Sequence, residues 1–347
     1  MEKIQLNSLK LSELEQFFLD INEKKYRARQ LFEFLHKKKE FDLENITVFS
    51  KDLISKISDI AYVNTPNILR VYESALDNTK KFLIRLEDKN IIETVFMGYG
   101  DRNTLCISSQ IGCKMGCSFC ASTKAKFVRN LSEAEILSQI YLVENFLGEN
   151  INNIVYMGIG EPLDNFETTV NSILILNDRF GKNLSQRSIT VSTSGLVDKI
   201  YDLANLDLSI NLAISLHYPF DEQRSLFMPI NRKYGLSQLI EACEYYFDKT
   251  GRRVSYEYVL IEGLNDSDSH IDKLSKMFEN KNIHINLIPL NEIEEFKYNS
   301  LRADKAKEFQ KKLSKVGLNS TIRQKKGEDI EGACGQLRIS YESGENI

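Results

Sequence analysis

The chain of 347 residues lacks any long uninterrupted run of apolar residues. A membrane-spanning helix needs about 20 such residues in a row, so the sequence predicts no transmembrane segment. The N-terminal Met-Glu-Lys-Ile is also not followed by the apolar core of a signal peptide. With 42% hydrophobic and 27% charged residues, these absences predict a globular cytoplasmic protein with a sizeable core.

The sequence has no excess of positive charge, since its formal net charge is −4. That balance argues against a protein that binds nucleic acid over its whole surface, although local basic patches matter more than the sum. One basic patch lies between Lys24 and Lys39, and a second comprises Arg323, Lys325 and Lys326. The alternative interpretation of both patches is a solvated surface.

The six cysteines do not have the pattern of a disulfide framework. Four of them fall between Cys106 and Cys120, whereas Cys243 and Cys334 lie far away in the sequence. Such crowding is typical of a metal or catalytic site in a reducing compartment, not of a secreted protein. The cysteines therefore direct attention to the segment around residue 113.

Three of these cysteines, Cys113, Cys117 and Cys120, are spaced C-x3-C-x2-C in the segment IGCKMGCSFCAS. A [4Fe–4S] cluster normally has four thiolate ligands, so three thiols leave one iron open for a small molecule, as catalytic metal sites do. The alternative is a structural zinc ion that recruits Cys106 as its fourth ligand. Structural zinc favours two separated C-x2-C pairs, so the spacing favours the iron–sulfur cluster.

Alternating strand and helix patterns after about residue 104 predict an α/β fold. Residues 1–60 have helical periodicity, residues 61–100 read as a linker with a strand pair, and residues 101–347 contain six or seven β/α units. The unusual residues follow the predicted strands directly: Cys113–Cys120, Gly158–Glu161, Ser192–Ser194, Ser215–His217 and Asn291. Active sites of β/α barrels lie at the carboxyl ends of the strands, so the pattern predicts a complete or partial barrel with one active rim.

Together these motifs resemble the RlmN/Cfr family of radical S-adenosylmethionine (SAM) RNA methyltransferases. The resemblance is carried by TLCISSQIGCKMGCSFCAS, MGIGEPLDN, TVSTSG, ISLH, MPINRKY, INLIPLN and GEDIEGACGQL, in register from about Ile92 to Leu337. It implies a radical-SAM partial β/α barrel of about six units over 101–347. Residues 1–60, with EKKYRARQLFEFLH, would form an RNA-contacting helical accessory domain, and a short strand pair in 61–100 would precede the barrel.

The resemblance also implies the cofactors and a role for each site residue. Cys113, Cys117 and Cys120 would hold one [4Fe–4S] cluster, and two SAM molecules would be used in each turnover. Cys334 would accept a methyl group, Cys106 would resolve the protein–RNA adduct through a transient disulfide with Cys334, and Glu93 would accept a proton. The implied SAM contacts are Gly160, Glu161, Ser192, Ser215, Leu216, His217 and Asn291.

The remaining basic, histidine and cysteine residues have weaker motif context. Arg129 and Arg323 are predicted to hold RNA phosphates. Cys243 lies in a helical pattern and is predicted to be a small core residue. The three histidines outside the motifs are predicted to be structural or surface residues: His36, His270 and His284.

The implied reaction is methylation of carbon 2 of an adenine in 23S rRNA, with an adenine of tRNA as a further substrate. Three alternatives stay open: Cfr-type methylation of carbon 8, a paralogue acting on another RNA, and a non-enzymatic, metal-stabilised RNA-binding module. The paralogue is considered because Lys124–Lys126 stand where family members usually carry glycine. The resemblance further implies an external one-electron donor such as flavodoxin or ferredoxin, and a monomeric protein without a membrane partner.

Overall fold

The computed structural model describes residues 3–100, 102–124 and 126–337. Its α-helices are α1 (Leu11–Asp20), α2 (Tyr26–His36), α3 (Lys51–Ile60), α4 (Glu133–Leu147), α5 (Phe166–Asn177), α6 (Val197–Ala204), α7 (Asp221–Phe227), α8 (Leu236–Thr250), α9 (Asp268–Met277) and α10 (Ala303–Lys315). In these ranges, no helix combines the length and the apolar character that crossing a lipid bilayer demands.

The same ranges contain the β-strands β1 to β14. They are β1 (Ile4–Gln5), β2 (Ala61–Tyr62), β3 (Asn67–Glu73), β4 (Thr79–Arg85), β5 (Ile91–Tyr99), β6 (Arg102–Cys106), β7 (Gln110–Ile111), β8 (Arg129–Asn130), β9 (Asn153–Tyr156), β10 (Ile189–Thr193), β11 (Asn211–Ser215), β12 (Ser255–Leu260), β13 (His284–Pro289) and β14 (Ser320–Ile322).

A single sheet forms the barrel, with the strand order β3-β4-β5-β6-β9-β10-β11-β12-β13-β14. From β6 to β14 every pairing is parallel, and the register places Cys106 opposite Val155 and Val191 opposite Leu212. Helices connect the successive parallel strands, as this topology requires. The carboxyl ends of these strands therefore meet at one edge, which confirms the predicted partial β/α barrel.

The helix that follows the cysteine loop shows how the sequence sets the start of an element. Ser132 is the N-cap of α4, and its hydroxyl accepts a hydrogen bond from the Glu135 amide at 3.3 Å. The Glu135 carboxylate in turn accepts one from the Ser132 amide at 2.9 Å. This reciprocal capping box satisfies two amides that a helix otherwise leaves without partners, and the sequence pattern Ser-x-x-Glu is typical of it.

The N-terminal helices form a small unit that packs on α4. Phe18, Leu31 and Phe32 are fully buried within it. His36, at the end of α2, is also buried, and its Nδ1 lies 3.1 Å from the hydroxyl of Tyr141 on α4. The predicted helices near 26–39 and 51–60 are present, although α2 ends at His36. Domain boundaries at 60 and 100 remain a prediction.

The strand pair expected before the barrel is part of the barrel sheet. β4 and β5 lie where they were predicted, and β5 pairs antiparallel with β6, with Val95 opposite Cys106. A further strand, β3, was not predicted, because its side chains are half-buried or exposed throughout and give no clear alternation. The consequence is that side chains on one face of β5 enter the barrel interior.

The segment Gln324–Leu337 crosses from β14 to the opposite side of the barrel. Near its start, the Asp329 carboxylate accepts a hydrogen bond from the Ala75 amide at 2.8 Å. Near its end, the Gly335 carbonyl accepts one from the Ala121 amide, in the cysteine loop, at 2.7 Å. These two attachments bring Cys334 into the barrel beside the cysteine loop.

Candidate active site

A cavity at the carboxyl ends of the strands brings together most of the predicted site residues. Its volume is about 170 Å³. The predicted residues in its wall are Cys113, Cys117, Cys120, Gly160, Glu161, Ser192, Ser215, His217, Asn291 and Cys334. Leu216 was also predicted to contact SAM, but its side chain is fully buried in the apolar core.

The cysteine loop is held in shape by a threonine that the sequence did not single out. The Thr123 hydroxyl lies 2.9 Å from the carbonyl oxygens of both Cys117 and Cys120. Burial, and to a smaller extent neighbouring negative charges, raise the pKa of the Cys113 thiol to about 12. A coordinated metal overrides such a shift, because a ligating thiol is deprotonated outright. The loop thus presents thiols that become thiolates only on metal binding.

The zinc alternative requires Cys106 to lie beside the three loop cysteines. In the part of the chain that is described, no three Cys, His, Asp or Glu side chains are placed to hold one metal ion. Cys106, the fourth ligand in the zinc alternative, interacts with Cys334 and Arg323 instead of with the three loop cysteines. Zinc needs its ligands about 2.3 Å from one centre, so the zinc alternative is not supported.

Glu161 offers a fixed carboxylate in the wall of the cavity. One carboxylate oxygen accepts a hydrogen bond from the Leu163 amide at 3.1 Å and the other from the Ser194 amide at 2.8 Å. Burial raises the pKa of this carboxyl group. The preceding Gly160 has φ +105°, and a Cβ there would lie 2.5 Å from Cβ of Gln110. Only glycine therefore allows the backbone to turn Glu161 toward the cavity.

Several buried polar atoms in the wall have no hydrogen-bond partner among the described residues. They are the Ser194 hydroxyl, Oδ1 of Asn291 and one carboxylate oxygen of Glu257. The amide nitrogen of Asn291 is used, since it donates to the Cys334 carbonyl at 3.0 Å. Buried polar groups normally have partners, so these atoms fit a polar ligand with amino, carboxylate and hydroxyl groups, as SAM has.

Arg224 joins the strand ends that carry these residues, and its role was not predicted. Its guanidinium is fully buried and donates to the carbonyls of Ser194 at 2.6 Å and Ser215 at 3.0 Å. It also donates to the side chain of Asn231 at 2.8 Å. Burial lowers the pKa of Arg224 to about 10, so it stays charged at neutral pH. Arg224 thereby fixes the carboxyl ends of β10 and β11 relative to each other.

His217 enters the cavity in a fixed orientation. Its φ is +56°, and its Nδ1 accepts a hydrogen bond from the Val259 amide at 3.1 Å. Burial, together with the charge of Arg224, lowers the pKa of His217 to about 3. The ring is therefore neutral near pH 7, with its proton on Nε2 because Nδ1 is the acceptor. A neutral donor of this kind suits ligand binding.

Cys106 and Cys334 line a second cavity that adjoins the first. Both thiols are free, and Met157, Asn291, Arg323 and Cys334 border both cavities. Burial, with the nearby Cys334, raises the pKa of the Cys106 thiol to about 12, and the charge of Arg323 opposes this effect. Arg323 was predicted to hold phosphate. Its strongest electrostatic partner in the structure is instead Cys334, followed by Glu257.

Glu93 lies on β5, fully buried, and lines neither cavity. Its carboxylate is 3.7 Å from the Lys81 ammonium, which is also buried. The same ammonium lies 3.5 Å from the carbonyl of Glu331, in the segment that carries Cys334. Lys81 thus links the predicted proton acceptor to the Cys334 segment. Sequence reasoning missed this lysine because an isolated Lys in a strand gives no signal.

The other basic residues noted in the sequence differ in whether their charge is already paired with an acid. Arg129 is held between Asp88 at 2.6 Å and Glu135 at 2.7 Å, so its charge is already paired and a phosphate contact is not supported. Lys124 is exposed and has φ −80°, a conformation that needs no glycine. Lys126 is exposed as well, while Ala125 lies outside the described residues.

Comparison with known proteins gives consistent matches along the chain. Residues 107–274 match the Radical SAM superfamily, and residues 4–63 match the ribosomal RNA large subunit methyltransferase N-terminal domain. The chain is 50% identical to a probable dual-specificity RNA methyltransferase RlmN from Finegoldia magna, over 97% of each sequence. It is 46% identical to a protein of the same name from Lachnoclostridium phytofermentans, over 98% of this chain and 96% of the relative.

A solved structure has the same fold over nearly the whole chain. It is a radical SAM methyltransferase from Sphaerobacter thermophilus, with a TM-score of 0.92 and 39% sequence identity. The match covers 96% of this chain and 99% of the other. The similarity therefore extends over nearly the whole chain.

Proposed function

This chain belongs to the RlmN family of radical SAM RNA methyltransferases, and we propose that it methylates carbon 2 of an adenine in RNA through Cys334. The observation that carries the proposal is the position of Cys334. It borders the cavity with the three loop cysteines and also the cavity that contains Cys106. Membership of an enzyme family argues against the non-enzymatic RNA-binding module.

In this proposal the three loop cysteines hold the [4Fe–4S] cluster, and the polar wall of the same cavity holds SAM. Glu161, Ser194 and Asn291 supply acceptors and donors for the polar groups of SAM, and His217 supplies a neutral N–H. When bound and reduced, the cluster and SAM together provide a 5′-deoxyadenosyl radical. Arg224 maintains the distance between the strand ends that carry these contacts.

Cys334 supplies the methyl carrier that the chemistry of adenine requires. Carbon 2 lies between two ring nitrogens and is electron-poor, so it does not attack a methylsulfonium directly. A thiolate is a better nucleophile, and the Cys334 sulfur takes the methyl group from a first SAM while its own proton is lost. After this methyl group loses one hydrogen atom, its carbon forms a bond to carbon 2 of adenine.

Release of the product needs a base and a second thiol. The adduct radical gives up one electron, which the cluster would take back, and Glu93 accepts the proton from carbon 2. The Cys106 thiolate then attacks the sulfur of Cys334 and forms the Cys106–Cys334 disulfide. The electron pair of the broken bond between sulfur and carbon stays with the transferred carbon, which takes up a proton to become the methyl group. General-base action requires hydrogen-bond reach of the proton, directly or through a water. The burial of Glu93 on the inner side of β5 supports a role inside the barrel.

The proposed substrates are 23S rRNA and, in addition, tRNA. Their location places the enzyme in the cytoplasm. A small one-electron donor of the flavodoxin or ferredoxin type would reduce the cluster. After each turnover, a thiol reductant would reduce the Cys106–Cys334 disulfide. We further propose that the protein acts as a monomer, since all site residues named above come from one chain.

The test is mass spectrometry of RNA nucleosides after anaerobic reaction of the reconstituted enzyme with SAM and a 23S rRNA fragment. The expected product is 2-methyladenosine. With SAM that carries a trideuterated methyl group, the product should retain two deuterium atoms, because one leaves with the 5′-deoxyadenosyl radical. Three retained deuterium atoms would contradict the Cys334 route, and 8-methyladenosine would indicate the Cfr-type alternative.

Two variants make this test specific. Cys334→Ala should yield no methyladenosine, whereas Cys243→Ala, at a buried thiol inside α8, should leave the product unchanged. Product formation by Cys334→Ala would exclude the methyl-carrier role. If the wild-type protein modifies neither 23S rRNA nor tRNA, a paralogue with another RNA substrate becomes the better interpretation.

A further inference from the structure

The opposite end of the barrel contains a large cavity that no step of the proposed reaction uses. It lies at the amino-terminal ends of the strands, with a volume of about 990 Å³. We call it the amino-terminal mouth and define it by four arginines in its wall: Arg102, Arg187, Arg252 and Arg253. Asparagine side chains from the starts of β9 and β11 complete a polar lining.

The positive charge of the mouth is not neutralised by neighbouring acids. In ranges 3–100, 102–124 and 126–337, none of the four arginines forms an ion pair, and the lining includes one carboxylate, Glu257. Glu257 is buried and interacts with Arg323. Arg252 donates to the side chain of Asn211, and Arg102 lies over the Tyr99 ring at 5.2 Å. A chain with net charge −4 thus concentrates free cations here.

The mouth adjoins the thiol cavity. Five residues line both cavities and separate the mouth from Cys106 and Cys334: Met97, Tyr99, Met157, Arg323 and Gln324. Tyr99 presents an aromatic ring at this boundary, and base–aromatic stacking is a common way to hold an unpaired base. The mouth is therefore cationic and shares part of its wall with the cavity that contains the proposed methyl carrier.

We propose that the amino-terminal mouth binds the ribose–phosphate backbone of the RNA substrate, and that the target adenine reaches the thiols from this end. The inference rests on the proposed function for the identity of the polyanion. Guanidinium groups pair with phosphate through two parallel hydrogen bonds. The arginines lie at the starts of β6, β10 and β12, and this spread suits a chain of phosphates better than one small anion.

The experiment measures binding of a fluorescein-labelled RNA hairpin, with unpaired adenines in its loop, by anisotropy at several salt concentrations. The variant is Arg187→Gln combined with Arg253→Gln, two exposed arginines of the mouth. We expect its Kd to rise about tenfold at fixed salt. We also expect the dependence of log K on log salt to become shallower by about 0.7–0.9 for each lost phosphate contact.

Matched variants separate charge from folding. Arg187→Lys with Arg253→Lys keeps both charges and should retain most of the affinity, and Arg302→Gln, an exposed arginine on the approach to α10, should bind as the wild type does. The proposal would be overturned if the glutamine variant bound RNA with an unchanged Kd. It would also be overturned if the Kd rose while the slope of log K against log salt stayed the same.

The outcome is independent of the test of function. If the wild-type protein forms methyladenosine but binds RNA equally well without the mouth arginines, the inference fails and the proposed function stands. If RNA binding depends on these arginines but no methyladenosine forms, the mouth is an RNA site and the proposed function fails.

Discussion

The two ends of this barrel are built from the same strands but from opposite chemistry. At the carboxyl ends, the cavity is lined by thiols, by hydrogen-bonding side chains and by the buried carboxylate of Glu161, and the buried guanidinium of Arg224 is satisfied by backbone carbonyls. At the amino ends, the cavity is lined by arginines that form no ion pair within the described ranges. Thiols suit the binding of a metal cluster and guanidinium groups suit the recognition of phosphates, so the first end suits cofactor chemistry and the second suits recognition of a charged polymer.

The largest expected effect concerns the thiols at the carboxyl end. Cys117→Ser should lose the cluster and all methylation, because the two remaining thiols leave the cluster with too few ligands. The reconstituted wild type should contain about four irons per chain. Iron and sulfide analysis with the absorbance near 400 nm checks this, and Cys243→Ser, another buried thiol, is the control. Full iron content in Cys117→Ser would show that Cys117 is not a cluster ligand and does not differ in this respect from Cys243.

The next effect separates the roles of two thiols at the carboxyl end, Cys334 and Cys106. Cys106→Ala should still accept a methyl group on Cys334 but should not release product, so a covalent protein–RNA species should accumulate. Denaturing gel electrophoresis with labelled RNA measures that species, and turnover should stop after at most one event per chain. Multiple turnovers without the adduct would show that Cys106 is not the resolving thiol.

The carboxyl end of the barrel was easier to predict from the sequence than the amino end, for a physical reason. The cysteines and the residues expected to contact SAM lie in short motifs directly after successive strands. The strand pattern therefore predicts that Cys113, Glu161 and Asn291 come together. Leu216 was expected to contact SAM, but its side chain lies in the core, since side chains along a strand alternate between its two faces.

The amino end was not predicted from the sequence. Arg102, Arg187 and Arg253 are separated by many residues and belong to no motif, so only the closure of the sheet places them in one cavity. Arg224 and Lys81 were missed for a similar reason, since both act through contacts between distant segments. Long-range pairing, and not local pattern, decides the surroundings of a single charged residue.

A smaller effect is expected where the antiparallel strands support the Cys334 segment. Lys81→Met removes the cation beside buried Glu93 and should destabilise the protein by about 3 kcal/mol, since removing one partner of a buried ion pair is costly. Its neighbour Lys80 forms a more exposed ion pair with Glu73, so Lys80→Met should cost less than about 1 kcal/mol. Denaturant unfolding measures both variants. Equal losses would mean that the Lys81–Glu93 pair contributes no more than a surface pair.

The smallest expected effect is a pH dependence of the stability, which arises from His36 and not from either end of the barrel. Burial lowers the pKa of His36 to about 3, whereas an unfolded histidine has a pKa of about 6.5. Between these values the unfolded state binds a proton that the folded state does not. Stability is therefore fully present above about pH 6.5 and falls as the pH decreases, by up to about 1.4 kcal/mol per pH unit.

His36→Gln should remove this contribution and keep a hydrogen-bonding group beside Tyr141, which packs the N-terminal helices onto α4. Denaturant unfolding at pH 7.5 and pH 5.5 measures the difference, and the wild type should lose about 1 kcal/mol more than the variant on acidification. A parallel loss in both proteins would mean that His36 does not titrate as its burial implies. The comparison matters for both ends of the barrel, because RNA binding and turnover measured at acidic pH include this loss of stability.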